Sequence, residues 1–318
     1  VREFLVHAMV QDRVFARLYP GVMHGLIFWG VTIQVLGTIV IILQYPLFTP
    51  FVIEWPRGAA YMAFELVMDL AGVMILLGVA LAAFRRWFLR PKYLPGRWDD
   101  WFALALLAII AVLGYLTEAV RLQAADPAWR VWSPVGNLTA DALTGLGIVG
   151  EASAALHQYL MWGHIASGLA LLAAIPFTKL RHLAVGPLNI LVRPQRRSGE
   201  LDTIADIEQT EKLGVGQVDE FSPQLMVQFD ACVQCGRCES VCPATASGMD
   251  FSPKDIVRGL FESLHRDVTY APPGTQARPL LGTAVRKETP WMCTTCGACI
   301  SACPLFIDPV DSIVDMRR

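Results

Sequence analysis

Charge is scarce in this sequence. Only 17% of its 318 residues are Asp, Glu, Lys or Arg, and 54% are hydrophobic, against about 25% charged in soluble domains. A chain of that composition keeps much of itself out of water. The scarcity is uneven, because roughly the first 190 residues hold nearly all the long apolar runs and the rest reads as an ordinary polar domain. The formal net charge of -2 has no basic excess, so nothing marks a nucleic-acid partner. Cysteine is missing everywhere outside two runs, "CVQCGRCESVCPA" at 232–244 and "CTTCGACISACPL" at 293–305. None is left for a scattered disulfide framework, which points to a reducing compartment, the cytoplasm, for the polar part. No signal-peptide pattern is read at Val1. Phosphate loops, hydrolase nucleophile motifs and metal-hydrolase motifs are absent as well.

Against that background stand four apolar segments at about 22–43, 59–84, 101–119 and 155–177. At 1.5 Å per residue each can cross roughly 30 Å of hydrocarbon. Between the third and fourth, "GNLTADALTGLGIVGEASAAL" is apolar but glycine-rich and interrupted by Asp141 and Glu151. It reads as a re-entrant or short extra helix, with a fifth span as the alternative. Cations sort to one side of the pattern: Arg2, Arg13 and Arg17 precede the first span, Arg85, Arg86, Arg90 and Lys92 follow the second, and Lys179, Arg181 and Arg193 follow the last. The positive-inside rule places those ends, and both termini, in the cytoplasm. The linkers 44–58 and 120–137, richer in Pro and Trp, then face outward.

Polar side chains at membrane depth need partners. His24 lies about one turn into the first span and His182 just past the cytoplasmic end of the last, so this topology puts both at the same inner depth. Two neutral imidazoles on different helices at matched depth can clamp one haem iron; hydrogen-bonded structural histidines are the other reading. His164 precedes His182 by eighteen residues, ~27 Å along a helix, so these two cannot share an iron. Glu65 and Asp69, four residues apart, share one face of the second span in its outer half. They read as a proton route or part of a quinone pocket, or as carboxylates capped near the interface.

The stretch "HIASGLALLAAIPFTKLRHL" resembles the final haem-binding helix of the nitrate-reductase gamma-subunit type of cytochrome b. That resemblance implies that His164 and His182 belong to different haems. The first span resembles the family's other ligand helix, where two histidines lie ten residues apart; His24 stands at the first position and Gln34 at the second. One inner haem b on His24 and His182 is therefore expected. His164 is assigned to a quinone pocket or a hydrogen bond, with a second haem as the alternative.

Each cysteine run is Cys-x2-Cys-x2-Cys-x3-Cys-Pro. Three thiolates so spaced wrap one iron–sulfur cube, and in two-cluster ferredoxins the fourth reaches across to the other cluster. Zinc is the competing reading, but its four-ligand knuckles require neither the third cysteine at this spacing nor the trailing Cys-Pro. The expected ligands are Cys232, Cys235, Cys238 and Cys303 for cluster one, and Cys293, Cys296, Cys299 and Cys242 for cluster two. Gly236 and Gly297 let backbone amides approach the sulfurs, and Pro243 and Pro304 end the local turn. The insert between the runs holds an expected helix, "SPKDIVRGLFESLHRD", with Ser252 as N-cap and Pro253 at its first position. His265 on that helix reads as a surface residue rather than a ligand. The pattern resembles the helical ferredoxin domain of succinate dehydrogenase iron–sulfur subunits and of heterodisulfide reductase subunits.

The stretches "GPLNILVRP", "ACVQCGRCESVCPA", "WMCTTCGACISACPL" and "IVDMRR" together resemble the membrane-bound heterodisulfide-reductase-related iron–sulfur proteins, among them electron-transfer-flavoprotein:menaquinone oxidoreductases. The resemblance implies a further Cys-Cys-Gly module, and no Cys-Cys-Gly occurs in this sequence, so that chemistry is expected on a separate subunit or on further chain. The expected fold is an all-α membrane helix bundle of four or five spans over 1–192, a connector over 193–225, and a mainly α-helical two-[4Fe-4S] domain over 226–318. The expected function is passage of electrons between a cytoplasmic electron-transfer flavoprotein, or a Cys-Cys-Gly iron–sulfur partner, and menaquinone. The route is two clusters and haem b, in the cytoplasmic membrane with the cluster domain inside. A non-catalytic anchor and electron wire of a larger respiratory complex is the alternative. A redox sensor is disfavoured, since no segment reads as an output domain.

Overall fold

The computed structural model describes residues 2–43, 56–94, 96–149, 151–194, 200–201, 207–209 and 212–318. Its contacts gather into two units. The membrane unit comprises Phe15–Arg90 and Gly96–Phe177, and the cysteine unit comprises Val1–Val14, Pro91–Pro95 and Thr178–Arg318. Among the described residues there is no β-strand, only isolated bridges between Gln217 and Pro279 and between Leu281 and Val285. The all-α expectation holds.

In the membrane unit, four stretches among the described residues are long and apolar enough to cross a membrane: Leu18–Leu43, Ala59–Leu89, Trp98–Ala125 and Ala155–Phe177. They carry helices α1 (Leu18–Leu43), α2 (Ala59–Phe84), α3 (Trp98–Ala125) and α5 (Glu151–Ala174), with the short α4 (Pro134–Gly145) before the last. The third span starts earlier than hydropathy suggests because its first carboxylates are absorbed locally. Asp100 accepts the Arg97 amide at 3.2 Å and the Arg86 guanidinium at 2.9 Å, so Arg86 serves the fold and a helix start is capped. The 12 residues of α4 rise only about 18 Å, too short to span. The short-helix reading of this stretch holds and the five-span alternative falls.

Helices α1 and α2 meet through glycines. A Cβ at Gly30 would lie 2.9 Å from the Ala71 carbonyl oxygen, and one at Gly78 would lie 3.0 Å from that of Met23. In lipid, apolar side chains gain nothing by leaving their surroundings, so association depends on such backbone approach. Ile75, Val79 and Leu107 then form a buried cluster between α2 and α3, while Leu36, Ile39 and Ile42 of α1 stay exposed, as residues facing hydrocarbon can.

The cysteine unit is built on α6 (His182–Val192), α7 (Pro223–Ala231), α8 (Pro253–Leu264) and α9 (Pro309–Arg317). Val218, Phe221, Leu225, Phe229, Ile256 and Leu260 belong to its core. Ser252 Oγ accepts the Asp255 amide at 3.2 Å, capping α8 as its sequence foretells, and Ser222 does the same for the Leu225 amide at 3.4 Å. Thr178–Arg318 groups with this unit, so α6 belongs to it, and Asn189 Nδ2 donates to the Leu305 carbonyl at 2.6 Å, tying α6 to the second cysteine run. One expectation changes. His265 is not a plain surface residue, because its Nε2 lies 2.6 Å from Asp230 and its ring 4.4 Å from that of Phe261.

Candidate functional site

The two cysteine runs take one backbone form. Gln234 and Gly236 have φ of 54° and 72°, and Thr295 and Gly297 have the same pair of values. Two left-handed residues one position apart turn the chain sharply around the cysteine between them, a conformation that can aim backbone amides at an anionic sulfur cluster. The cost is plain at Thr295, where a β-branched residue sits in the left-handed region. In return its amide donates to Cys293 Sγ at 3.4 Å, and the Ile307 amide donates to Cys303 Sγ at 3.4 Å.

Two cavities follow from this geometry. The first is lined by Cys232, Cys235, Cys238 and Cys303, together with Cys299, Gly236, Arg237 and Lys254. The second is lined by Cys242, Cys293, Cys296 and Cys299. The fourth cysteine of each run thus stands in the cavity of the other run. Among the described residues no three His, Cys, Asp or Glu side chains converge on a single-ion site; a [4Fe-4S] cube instead takes its four thiolates from around its surface. Burial pushes the Cys232 and Cys299 thiols up to about 12 and Cys303 up to about 11, with neighbouring cysteines adding to the effect. Cys238 and Cys293 are raised for the same main reason. Buried thiolates crowded in this way call for a cationic partner such as iron.

The runs differ in cover. Residues 294–296 are exposed, whereas their counterparts 233–235 are half-buried. A Cβ at Gly236 would clash with the backbone of Tyr93, so only glycine admits that strand of chain over run one. Lys254 Nζ lies 2.5 Å from Glu239 and 3.3 Å from the Tyr93 carbonyl. Arg237 donates to the carbonyls of Arg13 at 2.6 Å and Val14 at 2.8 Å. Tyr93, Arg237 and Lys254 are not legible as cover from sequence, where the signal is a cation inside "CGRC".

Among the histidines, His182 opens α6 with Nδ1 2.6 Å from the Lys179 carbonyl. Donation from Nδ1 fixes the ring's orientation and tautomer, as a backbone carbonyl does for a metal-ligating histidine, and burial pushes the imidazole toward its neutral form. His164, on α5, is held alike: its Nδ1 lies 3.0 Å from the Ile110 carbonyl, and Gly114 leaves room for the ring. His24 lies half-buried on α1 with its ring centroid 6.4 Å from that of Phe28. His24 belongs to the membrane unit and His182 to the cysteine unit. Gln34, at the place of the family's other histidine, donates to the Met68 carbonyl at 2.8 Å.

Both membrane carboxylates have internal partners. Glu65 lies 3.0 Å from Arg121, which also binds Glu118 at 2.8 Å and the Tyr61 hydroxyl at 3.1 Å. Asp69 accepts the Val135 amide at 3.1 Å, the Gly136 amide at 2.9 Å and the Ser133 hydroxyl at 3.2 Å. It therefore caps α4 from another helix. These bonds give both residues work within the fold, and Arg121 and Ser133 were invisible as partners because they lie 56 and 64 positions away.

Comparison with known proteins adds the following. The nitrate reductase gamma subunit family matches residues 22–197 and the 4Fe-4S dicluster domain family matches residues 231–307. The EtfAB:quinone oxidoreductase of Syntrophomonas wolfei subsp. wolfei is 29% identical over 99% of this chain and 48% of its own length. The "Probable iron-sulfur-binding oxidoreductase FadF" of Bacillus subtilis is 26% identical over 98% of this chain and 48% of its own length. A "Probable membrane-anchored ferredoxin" of Chromohalobacter salexigens is 39% identical over 44% of this chain and 25% of its own length. The chain thus spans about half the length of the first two relatives. No solved structure matches it.

Proposed function

Because the chain belongs to the nitrate reductase gamma subunit family, we propose that it is a membrane electron-transfer oxidoreductase, or the electron-carrying part of one, working between a cytoplasmic partner and menaquinone. The observation that carries this is the pair of cysteine cavities, each completed by the fourth cysteine of the other run. Cys232, Cys235, Cys238 and Cys303 would hold one [4Fe-4S] cluster, and Cys293, Cys296, Cys299 and Cys242 the other. His24 and His182 would hold one haem b, a pairing that rests on their matched depth in the sequence and is supported by the Lys179 carbonyl that orients the His182 ring. Bound there, these groups supply one-electron chemistry. The protein's residues do the rest: they fix the ligands, aim amides at sulfur and exclude water.

The partner is an electron-transfer flavoprotein or a Cys-Cys-Gly iron–sulfur protein, a reading supported by the name of the Syntrophomonas relative, EtfAB:quinone oxidoreductase. The cysteine unit lies on the cytoplasmic side by the distribution of Arg and Lys around the spans. With one inner haem, the quinone head group sits near mid-membrane beside it. His164 then lines the pocket or makes a structural bond, and Glu65 and Asp69 serve the fold or a proton route. An optical and EPR redox titration of the purified protein tests this: two [4Fe-4S] signals and one low-spin haem, reoxidised by a menaquinone analogue, are expected. Zinc in place of iron would overturn the cluster reading, and haem that quinone does not reoxidise would reduce the protein to an electron wire.

A further inference from the structure

We propose that Arg13 and Arg317 are a matched pair of positioning residues, each raising the reduction potential of one cluster through the carbonyl of one of its cysteines. The inference rests on the two-cluster reading above. Arg13 Nη1 donates to the carbonyl oxygens of Cys303 at 3.1 Å and Ile300 at 3.2 Å. Cys303 lines cavity one. Arg317 Nη2 donates to the carbonyls of Cys293 and Pro290, and Cys293 lines cavity two. Each guanidinium thus reaches the backbone of one ligand of one cavity.

Both are held in place by aromatic faces. Arg13 stacks 3.7 Å from the centroid of Phe306, and Arg317 lies 5.5 Å from that of Trp291. Phe306 carries a second guanidinium, Arg193, at 3.5 Å and the His7 ring at 4.6 Å. It does so from φ of 58°, a strained setting for an aromatic residue that persists only where its surroundings fix it. The Arg13 carbonyl is in turn gripped by Arg237 of run one. The carboxylates beside Arg13, Glu3 and Asp12, also pair with Arg193 at 2.7 Å and with His7 at 2.7 Å, so they balance its charge only in part, whereas Lys254 at the same cavity pairs directly with Glu239 at 2.5 Å.

When a donor such as reduced flavin passes one electron to a [4Fe-4S] site, the site gains one negative charge and no proton. A permanent guanidinium, always protonated, stabilises that form in a low-dielectric wall more than the oxidised one. Removing the charge lowers the midpoint.

The test is an EPR-monitored potentiometric titration of the full chain as wild type, Arg13→Gln, Arg13→Lys, Arg317→Gln and Arg317→Lys. The clusters are told apart by Cys296→Ser, which removes a sulfur only from cavity two. Arg13→Gln is expected to change the reduced-to-oxidised ratio of cluster one about tenfold, a fall of ~59 mV for one electron, and to leave cluster two in place. Arg317→Gln does the reverse, and each Lys variant stays near wild type. Midpoints that do not move, that move equally in both clusters, or that fall as far with Lys as with Gln overturn the proposal. Should a Gln variant lose its cluster, the Lys variant at that site and the Gln variant at the other still decide. A wild-type protein with no cluster signal would instead sink the two-cluster reading itself.

Discussion

Asp69 of α2 accepts the backbone amide of Gly136 at 2.9 Å. Its carboxylate also takes the amide of Val135 and the hydroxyl of Ser133, so one buried side chain supplies the N-cap that α4 does not draw from Ser133. Loss of a cap costs roughly 1–2 kcal/mol, and the amides left behind are buried. Asp69→Ala is therefore expected to lower the melting temperature in detergent, with Asp69→Asn intermediate, while quinone-dependent haem oxidation per haem stays near wild type. A collapse of that rate with unchanged melting would move the quinone outward to this carboxylate.

Arg121 joins Glu65 and Glu118, which makes the two sides of the ion pair unequal. Glu65→Gln leaves the guanidinium its bond to Glu118 and costs about 1 kcal/mol. Arg121→Met strands two carboxylates and costs on the order of 3–5 kcal/mol. Thermal unfolding of the two variants should rank them in that order; equal losses would mean that the three charges do not act as a unit.

The ligand crossover is testable by substitution. Cys303→Ser should remove the same EPR signal as Cys235→Ser, and Cys242→Ser the same signal as Cys296→Ser, with about four irons lost each time. If Cys303→Ser matches Cys296→Ser, each run closes its own cluster.

Gly236 sits at φ of 72° beneath the backbone of Tyr93. Gly236→Ala is expected to deplete cluster one by forcing that covering chain away, whereas Gly168→Ala, whose new methyl meets nothing within 4 Å, leaves iron content intact. Iron and sulfide assays on both variants check this, and full loading of Gly236→Ala would show that the cover is dispensable.

Pyridine haemochrome counting addresses the histidines. Wild type is expected to hold one haem b, lost in His24→Ala and in His182→Ala and kept in His164→Ala. A count of two, with one haem lost in His164→Ala, would assign His164 to an outer haem.

The sequence by itself determined what depends on near neighbours. Span length, the Cys-Pro runs, the Ser252 cap and the short reach of α4 are local matters of periodicity and spacing, legible within a dozen or so residues. The four spans and the helical cluster domain follow from them. What only the tertiary structure decided are partnerships across long separations. Asp69 and Glu65 look like exposed costs until Gly136 and Arg121 arrive from α4 and α3, and His265 reads as surface until Asp230 meets it. Arg13 counts only as a topological cation until it is seen on the carbonyl of Cys303, 290 positions away. Hydropathy records how much each residue dislikes or prefers water, but a buried charge is stable only through the particular donor or acceptor that folding brings to it, and that identity is written in the packing of helices rather than in any one stretch of chain.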